Sequence, residues 1–340
     1  MMAKRTSVWM RGSLLVLALL AMTYGSSAQA PARKKLLFLT HPALYKHTSL
    51  EPAEKAVKEL GTKNGYDVTT LEGFRQAADK IDLTMLTPQY LAQFDGLMLM
   101  TNGNLPLTLD QKKAIVDYVR NGHALIGTHC ATLTLYDYPE FGEMFGGYYR
   151  RSIVATNKIG ETNLGVLKVE DTNHPATRML GSNWPLAEEF YQFGTAVWDP
   201  AKPTENISQV GRLHIPLAFS RDKVHVLLSL DTTKMDLTGL GPDIVKGGDY
   251  PQAWSKNFGT GRVFYTALGH RAEVWEDEQF LRHLEGGLAW ALRAELPVVL
   301  APELELYRAF ARENAGDAAR GYALFRQPTG PMCVRCHSVF

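Results

Sequence analysis

The chemistry-bearing residues of this 340-residue chain gather in two places. The first is Cys333-Val334-Arg335-Cys336-His337, close to the C-terminus. Two thiols at Cys-x-x-Cys spacing can add to the two vinyl groups of haem, and the histidine that follows can reach the iron. A redox dithiol would leave His337 unexplained, and half a zinc site would lack its other ligands. Cys333 and Cys336 are therefore expected to hold haem c covalently, with His337 as axial iron ligand. The second place is Gly127-Thr128-His129-Cys130-Ala131. An apolar run closed by small residues has the pattern of a strand-to-helix elbow, which lifts one side chain above a sheet edge. Here that side chain is His129. Cys130 comes one place too late and should point away. Cysteine amidase chemistry would also need a histidine and an acid downstream, and His174-Pro175-Ala176 offers no acid.

The elements that must carry the elbow follow from periodicity. Residues 35–40, 66–71, 94–101 and 124–128 read as short apolar strands. Residues 49–60, 88–93 and 109–121 read as helices. Ser49 and Thr87 are their expected N-caps, Pro88 takes a first helical position and Gly122 is an expected C-cap. This alternation predicts a parallel sheet with helices on both faces. Ligands bind such sheets beyond the carboxyl ends of the strands, which here are His41, Thr101-Asn102-Gly103 and Gly127-Thr128-His129. Residues 166–170, 224–230 and 262–267 read as further strands and 276–293 as a closing helix. His225 alternates with apolar residues as a strand position does. Gly259-Thr260-Gly261 precedes a strand, whereas a dinucleotide fingerprint follows one, so it reads as a turn.

Composition narrows the classes. The chain has 36 basic and 35 acidic residues and a formal charge of +1. No basic face for nucleic acid is expected from that balance. The three cysteines are no disulfide framework. Lys4, Arg5 and Arg11 precede an apolar run from Leu14 to Met22, too short for a membrane span. Residues 1–32 are expected to be a signal peptide, with cleavage near Ala30 or Ala32. The mature chain is then exported, to the periplasm or beyond, with no membrane span after the signal peptide. Residues 294–315, with Pro297 and Pro302, read as a linker.

Two resemblances extend this reading. Residues 316–325 resemble the first helix of a class I cytochrome c, which leads into the Cys-x-x-Cys-His loop. The chain stops at Phe340, three residues after His337, so residues 316–340 are expected to be the N-terminal fragment of an all-α cytochrome c domain. Residues 35–293 resemble the trehalose-utilisation (ThuA-like) family. The matching stretches begin with Lys46-His47-Thr48-Ser49, the elbow, and Asn173-His174-Pro175-Ala176. Glu188-Glu189-Phe190-Tyr191-Gln192-Phe193 and Asp249-Tyr250-Pro251-Gln252-Ala253-Trp254 follow. The last are residues 259–270, ending in Leu268-Gly269-His270, and Gly286-Gly287-Leu288-Ala289-Trp290. Many relatives carry arginine where Lys46 stands. The resemblance implies a parallel-sheet, three-layer α/β sandwich, similar to class I glutamine amidotransferases and flavodoxin-like folds. It also implies a role in the metabolism of trehalose-like sugars, often as 3-keto intermediates.

The candidate site residues are His129, His270 and His47, all expected on one rim, with Glu189 as base or ligand. Together they suit a divalent metal such as zinc. They equally suit acid/base work without one. His174 is expected to fix a turn, and His123, His214, His225 and His283 carry no functional expectation. Tyr148, Tyr149, Trp184, Tyr191, Trp254 and Trp275 offer flat faces for sugar rings, although core packing is the simpler account of most. Two functional readings follow. One is an exported enzyme acting on a keto-glycoside by proton abstraction, with the haem motif adding electron transfer. The other is a non-catalytic sugar-binding module tethered to a cytochrome that accepts electrons from a periplasmic dehydrogenase, or passes them to an acceptor.

Overall fold

The computed structural model describes residues 33–153, 164–194, 207–210, 213–216, 219–238, 240 and 242–294. The expected signal peptide (1–32), all of the expected linker (294–315) but Ala294, and the expected cytochrome fragment (316–340) with Cys333, Cys336 and His337 lie outside the described residues. The chain divides into two units, Met1–Ala294 and Glu295–Phe340. All described residues belong to the first.

The first half alternates strand and helix. It contains β1 (Lys34–Leu39), α1 (Leu50–Asn64), β2 (Tyr66–Thr70), α2 (Pro88–Leu91), β3 (Gly96–Leu99), α3 (Leu109–Arg120) and β4 (Ala124–Thr128). Then come α4 (Pro139–Phe145), β5 (Tyr149–Ser152), β6 (Leu164–Val169), β7 (Asn183–Ala187), β8 (Tyr191–Phe193), β9 (Ile207–Val210) and β10 (Leu213–Pro216). The last elements are β11 (His225–Leu230), β12 (Pro251–Phe258), β13 (Gly261–Thr266) and α5 (Glu278–Leu292).

Nine strands form one sheet in the order β2-β1-β3-β4-β13-β12-β11-β6-β7. β2, β1, β3, β4 and β13 run parallel, and every pairing from β13 through β12, β11 and β6 to β7 is antiparallel. The parallel half matches the βα rhythm of the sequence. The antiparallel half differs from the all-parallel expectation, since no α-helix crosses between its paired strands as one does between the parallel ones. β12 and β13 form a hairpin whose loop is Gly259-Thr260, with Gly259 at φ +59°. A positive φ at that place favours glycine. The sequence pattern of β12 is masked by burial on both faces, since residues 251–255 are all buried.

Helices cover both faces of the sheet. Leu50, Ala53, Val57 and Leu60 of α1 join Phe280, Leu284 and Leu288 of α5 against Leu36, Phe38 and Ile126. On the other face Ile115, Val116 and Val119 of α3 and Phe141 and Phe145 of α4 pack on Leu37, Leu39 and Leu125. Helix ends follow their chemistry. Thr87 caps α2 by accepting the Tyr90 N–H at 3.2 Å. Thr108 and Gln111 form a reciprocal capping box on α3. Ser49 stands at the expected cap position of α1, but its buried hydroxyl makes no capping bond. α3 is capped by Asn121, and Gly122 follows it at φ +118°. Among the described residues no helix is long and apolar enough to cross a membrane.

Candidate functional site

The elbow is real geometry. β4 ends at Thr128, and His129 turns the chain with φ +45°, a left-handed conformation that costs a non-glycine residue of order 1–2 kcal/mol. Tyr265 of β13 holds the strained backbone, its hydroxyl donating to the His129 carbonyl at 2.7 Å. The imidazole is fully buried. Its Nδ1 lies 3.0 Å from the Ala267 carbonyl oxygen. A carbonyl only accepts, so Nδ1 carries the proton and Nε2 turns its lone pair into the site.

Three other residues meet that nitrogen. His47, on the loop after β1, brings its Nε2 to 3.2 Å of it. His270, just past β13, brings its Nδ1 to 3.2 Å. Glu189, ahead of β8, brings Oε2 to 3.3 Å of His129 Nε2 and to 2.8 Å of His270 Nδ1. The four side chains offer one ligand atom each, all within 4.8 Å of one another. This is the one such group of His, Cys, Asp and Glu among the described residues. Such a set can hold a metal ion or move protons. Glu189 and His270, with side chains 16% and 20% exposed, are the more exposed members of the group.

Each member is fixed by neighbours, of which Asn102 is expected at a strand end and Tyr149 and Tyr191 as candidate sugar faces, whereas Glu188, Ser152 and Gln252 carry no expected role. Asn102, at the carboxyl end of β3, accepts the N–H groups of Leu44 (2.8 Å) and Tyr45 (3.0 Å) and donates to the Tyr45 carbonyl (2.7 Å). It thereby sets the loop that carries His47, whose ring has Tyr45 packed edge-on at 4.7 Å. Buried Glu188 accepts the N–H of Glu189 (2.8 Å) and of Gly269 (3.2 Å), so one carboxylate orients both Glu189 and His270. Ser152 donates to Glu189 Oε1, and Tyr149 lies 3.1 Å from the Ser152 hydroxyl. Tyr191 places its hydroxyl 2.9 Å from His129 Nε2. Gln252, wholly buried in β12, accepts the Tyr191 N–H (3.0 Å) and donates to the Tyr191 carbonyl (2.7 Å). The readable signal was polarity in apolar context: Gln252 is the second residue of β12, in its buried stretch 251–255.

Electrostatics sorts the members. Burial above all, with the charge of His270 beside it, pushes His47 down to about 2, so it is neutral across ordinary pH. Burial opposes ionisation of Glu189, but its close contacts with the His129 and His270 imidazoles outweigh it and hold this carboxyl well below its usual range. Burial opposes charge on His270 too, yet its bond to Glu189 wins and raises its pKa. Burial raises Glu188 and, with the Glu189 charge, lifts Tyr191 well above the usual phenol range.

The remaining candidates are placed elsewhere. Cys130 is buried in the core under the elbow, its thiol pushed up to about 12 by burial. His174 Nδ1 accepts the Ala176 N–H at 3.2 Å and closes a turn. His283 lies 2.8 Å from the Ala176 carbonyl, His123 2.9 Å from the Tyr118 carbonyl, and His225, in β11, 2.8 Å from Asp171. Tyr148, Trp184, Trp254 and Trp275 are core residues, so Tyr191 and half-buried Tyr149 are the aromatics of that group at the site. An open cleft of about 440 Å³ reaches His47, walled by Lys46, Glu51, Phe74 and Arg75.

The family model for trehalose utilisation (ThuA) matches residues 35–210 and 213–291. The chain belongs to the ThuA family. Among solved structures, this family member is similar to a ThuA-like protein from Bacteroides uniformis ATCC 8492. The two share 22% identity and a TM-score of 0.55, over 79% of this chain and 94% of that one. A ThuA-like protein from Parabacteroides merdae ATCC 43184 is similar at 17% identity and a TM-score of 0.52, over 80% and 94% of the two chains. At these identities the likeness is one of fold. Comparison with curated proteins gives no significant match. The ThuA match covers the elements that bring His47, His129, Glu189 and His270 together.

Proposed function

We propose that this ThuA-family chain is an enzyme that abstracts a proton next to a carbonyl of a sugar-derived substrate, such as a 3-keto-glycoside. The observation that carries this reading is the convergence of four titratable side chains on His129 Nε2, at the carboxyl edge of the parallel strands. A carbonyl at C3 acidifies the proton at C2. His129, whose Nδ1–H is tied to the Ala267 carbonyl, presents its Nε2 lone pair as the base. His270 is kept protonated by Glu189 and supplies the proton or hydrogen bond that stabilises the developing enolate. Glu189 is too weak a base for the abstraction and serves as the partner that orients and charges His270. With the enolate formed, the C1 glycosidic oxygen leaves by elimination.

The experiment is proton exchange at C2 of 3-keto-trehalose in deuterated buffer, followed by NMR with wild type and His129→Ala. Exchange or glycosidic cleavage that vanishes in the variant supports the reading. Sugar binding with no exchange in wild type refutes it in favour of a binding module. The Cys333, Cys336 and His337 motif supports a second role, covalent haem c and electron transfer in an exported protein. A haem stain of periplasmic protein that survives denaturing electrophoresis tests it, and loss of the stain in Cys336→Ala assigns the attachment.

A further inference from the structure

Counting the neighbours of one atom gives more than the list of ligands. His129 Nε2 has four polar atoms around it: Tyr191 hydroxyl at 2.9 Å, His47 Nε2 at 3.2 Å, His270 Nδ1 at 3.2 Å and Glu189 Oε2 at 3.3 Å. A single lone pair accepts one hydrogen bond well, and Tyr191 is the hydroxyl that supplies it. His47, His270 and Glu189 crowd the same atom at 3.2–3.3 Å, more polar neighbours than one lone pair can hydrogen-bond.

Ligand atoms about 2.0–2.2 Å from a metal stand about 2.8–3.5 Å apart along the edges of a coordination polyhedron. All four distances fall in that interval. A tetrahedral centre gives each ligand three neighbours. The apex of a square pyramid, or a vertex of an octahedron, gives four. His129 has four only if Tyr191 is counted.

We infer that His129, His47, His270, Glu189 and the Tyr191 hydroxyl form a five-ligand site for a divalent or trivalent transition metal, with Tyr191 bound as phenolate. This rests on reading the cluster as the functional site, not on the sugar. Binding makes the bonds balance. The His129 lone pair that accepts the Tyr191 proton becomes the bond to the metal, so that proton leaves to solvent, and the Tyr191 oxygen takes up the cation. Three imidazoles and two oxygen donors suit iron, manganese, cobalt or zinc. The position opposite His129 is left for a substrate oxygen.

Tyr191 is built for that place. Gln252 grips both of its backbone polar groups, and Tyr149 packs edge-on to its ring at 4.5 Å. A phenol needed only to fill space would not require a buried glutamine to set its backbone.

The test uses the full-length chain, produced without haem attachment so that the visible region is clear, and loaded with iron(III). Metal analysis should find one equivalent at the cluster, lost in His129→Ala. The visible spectrum should show a phenolate-to-iron(III) charge-transfer band. Tyr191→Phe should retain iron but lose the band, and Tyr149→Phe should keep both. Iron bound without the band, or a band that survives Tyr191→Phe, overturns the assignment of Tyr191. No iron uptake overturns the metal site altogether. C2 proton exchange is measured on the metal-free protein, because a bound metal takes up the His129 lone pair that serves as base, so failure of this inference and failure of the proposed function remain distinguishable.

Discussion

Gly269→Ala places a single methyl group beside His270, and its cost can be worked from two features. Gly269 has φ +119°, beyond the left-handed region that L residues tolerate, which costs about 1–3 kcal/mol. The new Cβ would stand 3.0 Å from Trp275 Cζ2, 3.4 Å from Cε2 and 3.5 Å from Nε1. Carbon atoms prefer about 3.5–4.0 Å, so the indole must retreat by about half an ångström. It is poorly free to do so, because Trp275 is buried, donates to the Gly269 carbonyl at 3.0 Å and packs edge-on to Phe280. The sum is about 2–4 kcal/mol, or roughly 4–16 °C in Tm. The same movement loosens the Gly269 N–H from Glu188 and the His270 Nδ1 from Glu189, so activity should fall roughly tenfold to hundredfold. Urea unfolding gives the first quantity and initial rates of C2 exchange the second. Gly181→Ala is the control, since its nearest neighbour would be Asn183 O at 3.8 Å and its φ is not positive. If Gly269→Ala unfolds within about 0.5 kcal/mol of wild type, as the control should, the strain argument is wrong.

Three further outcomes are expected. Asn102→Ala removes the acceptor of two backbone N–H groups under the His47 loop, so it should cost about 1–3 kcal/mol by urea unfolding and at least tenfold in exchange rate, with Gln252→Ala a matching test of the Tyr191 clamp. Cys130 should not react with a thiol reagent until the chain unfolds, and Cys130→Ala should keep its exchange activity; rapid labelling of native protein would contradict the placement of this thiol in the core. His41 and His283 are fully buried with pKa values lowered to about 4 by burial. Below the ordinary value near 6.5 the unfolded chain takes up protons that the folded chain refuses, so stability is lost as pH falls from 6.5 toward 4. Each should cost about 1.3 kcal/mol between pH 7.5 and 5.5, and urea midpoints flat over that interval would count against both.

Much of the parallel half could be read in advance because its strands are short apolar runs between amphipathic helices with visible caps. β4 needed no correction, and the elbow at His129 follows from small residues on both sides of one large polar one. His47 and His270 were readable because each follows a strand of that half. The antiparallel half was harder. β12 is buried on both faces, so it shows no alternation, and its polar residue Gln252 looks like an interruption rather than a clamp. Tyr191 could not be told from the core aromatics, because a phenol oxygen 2.9 Å from an imidazole 62 residues earlier leaves no local pattern. Glu188 and Glu189 are adjacent carboxylates in the short connection between β7 and β8 that turn to different tasks, and only the backbone partners of Glu188 tell them apart.

The position of β13 has a consequence for how the chain acquires its active form. It is the last strand of the sheet in sequence, yet it lies at the centre, between β4 and β12. His129 and His270 are 141 residues apart and meet only once β13 has zipped onto β4. Until then the open flank of β4 presents unpaired peptide groups that invite association with other chains. Contacts so distant in sequence form slowly. Assembly of the four-residue centre is therefore coupled to completion of the whole sheet, and acquisition of activity during refolding would report the docking of one strand.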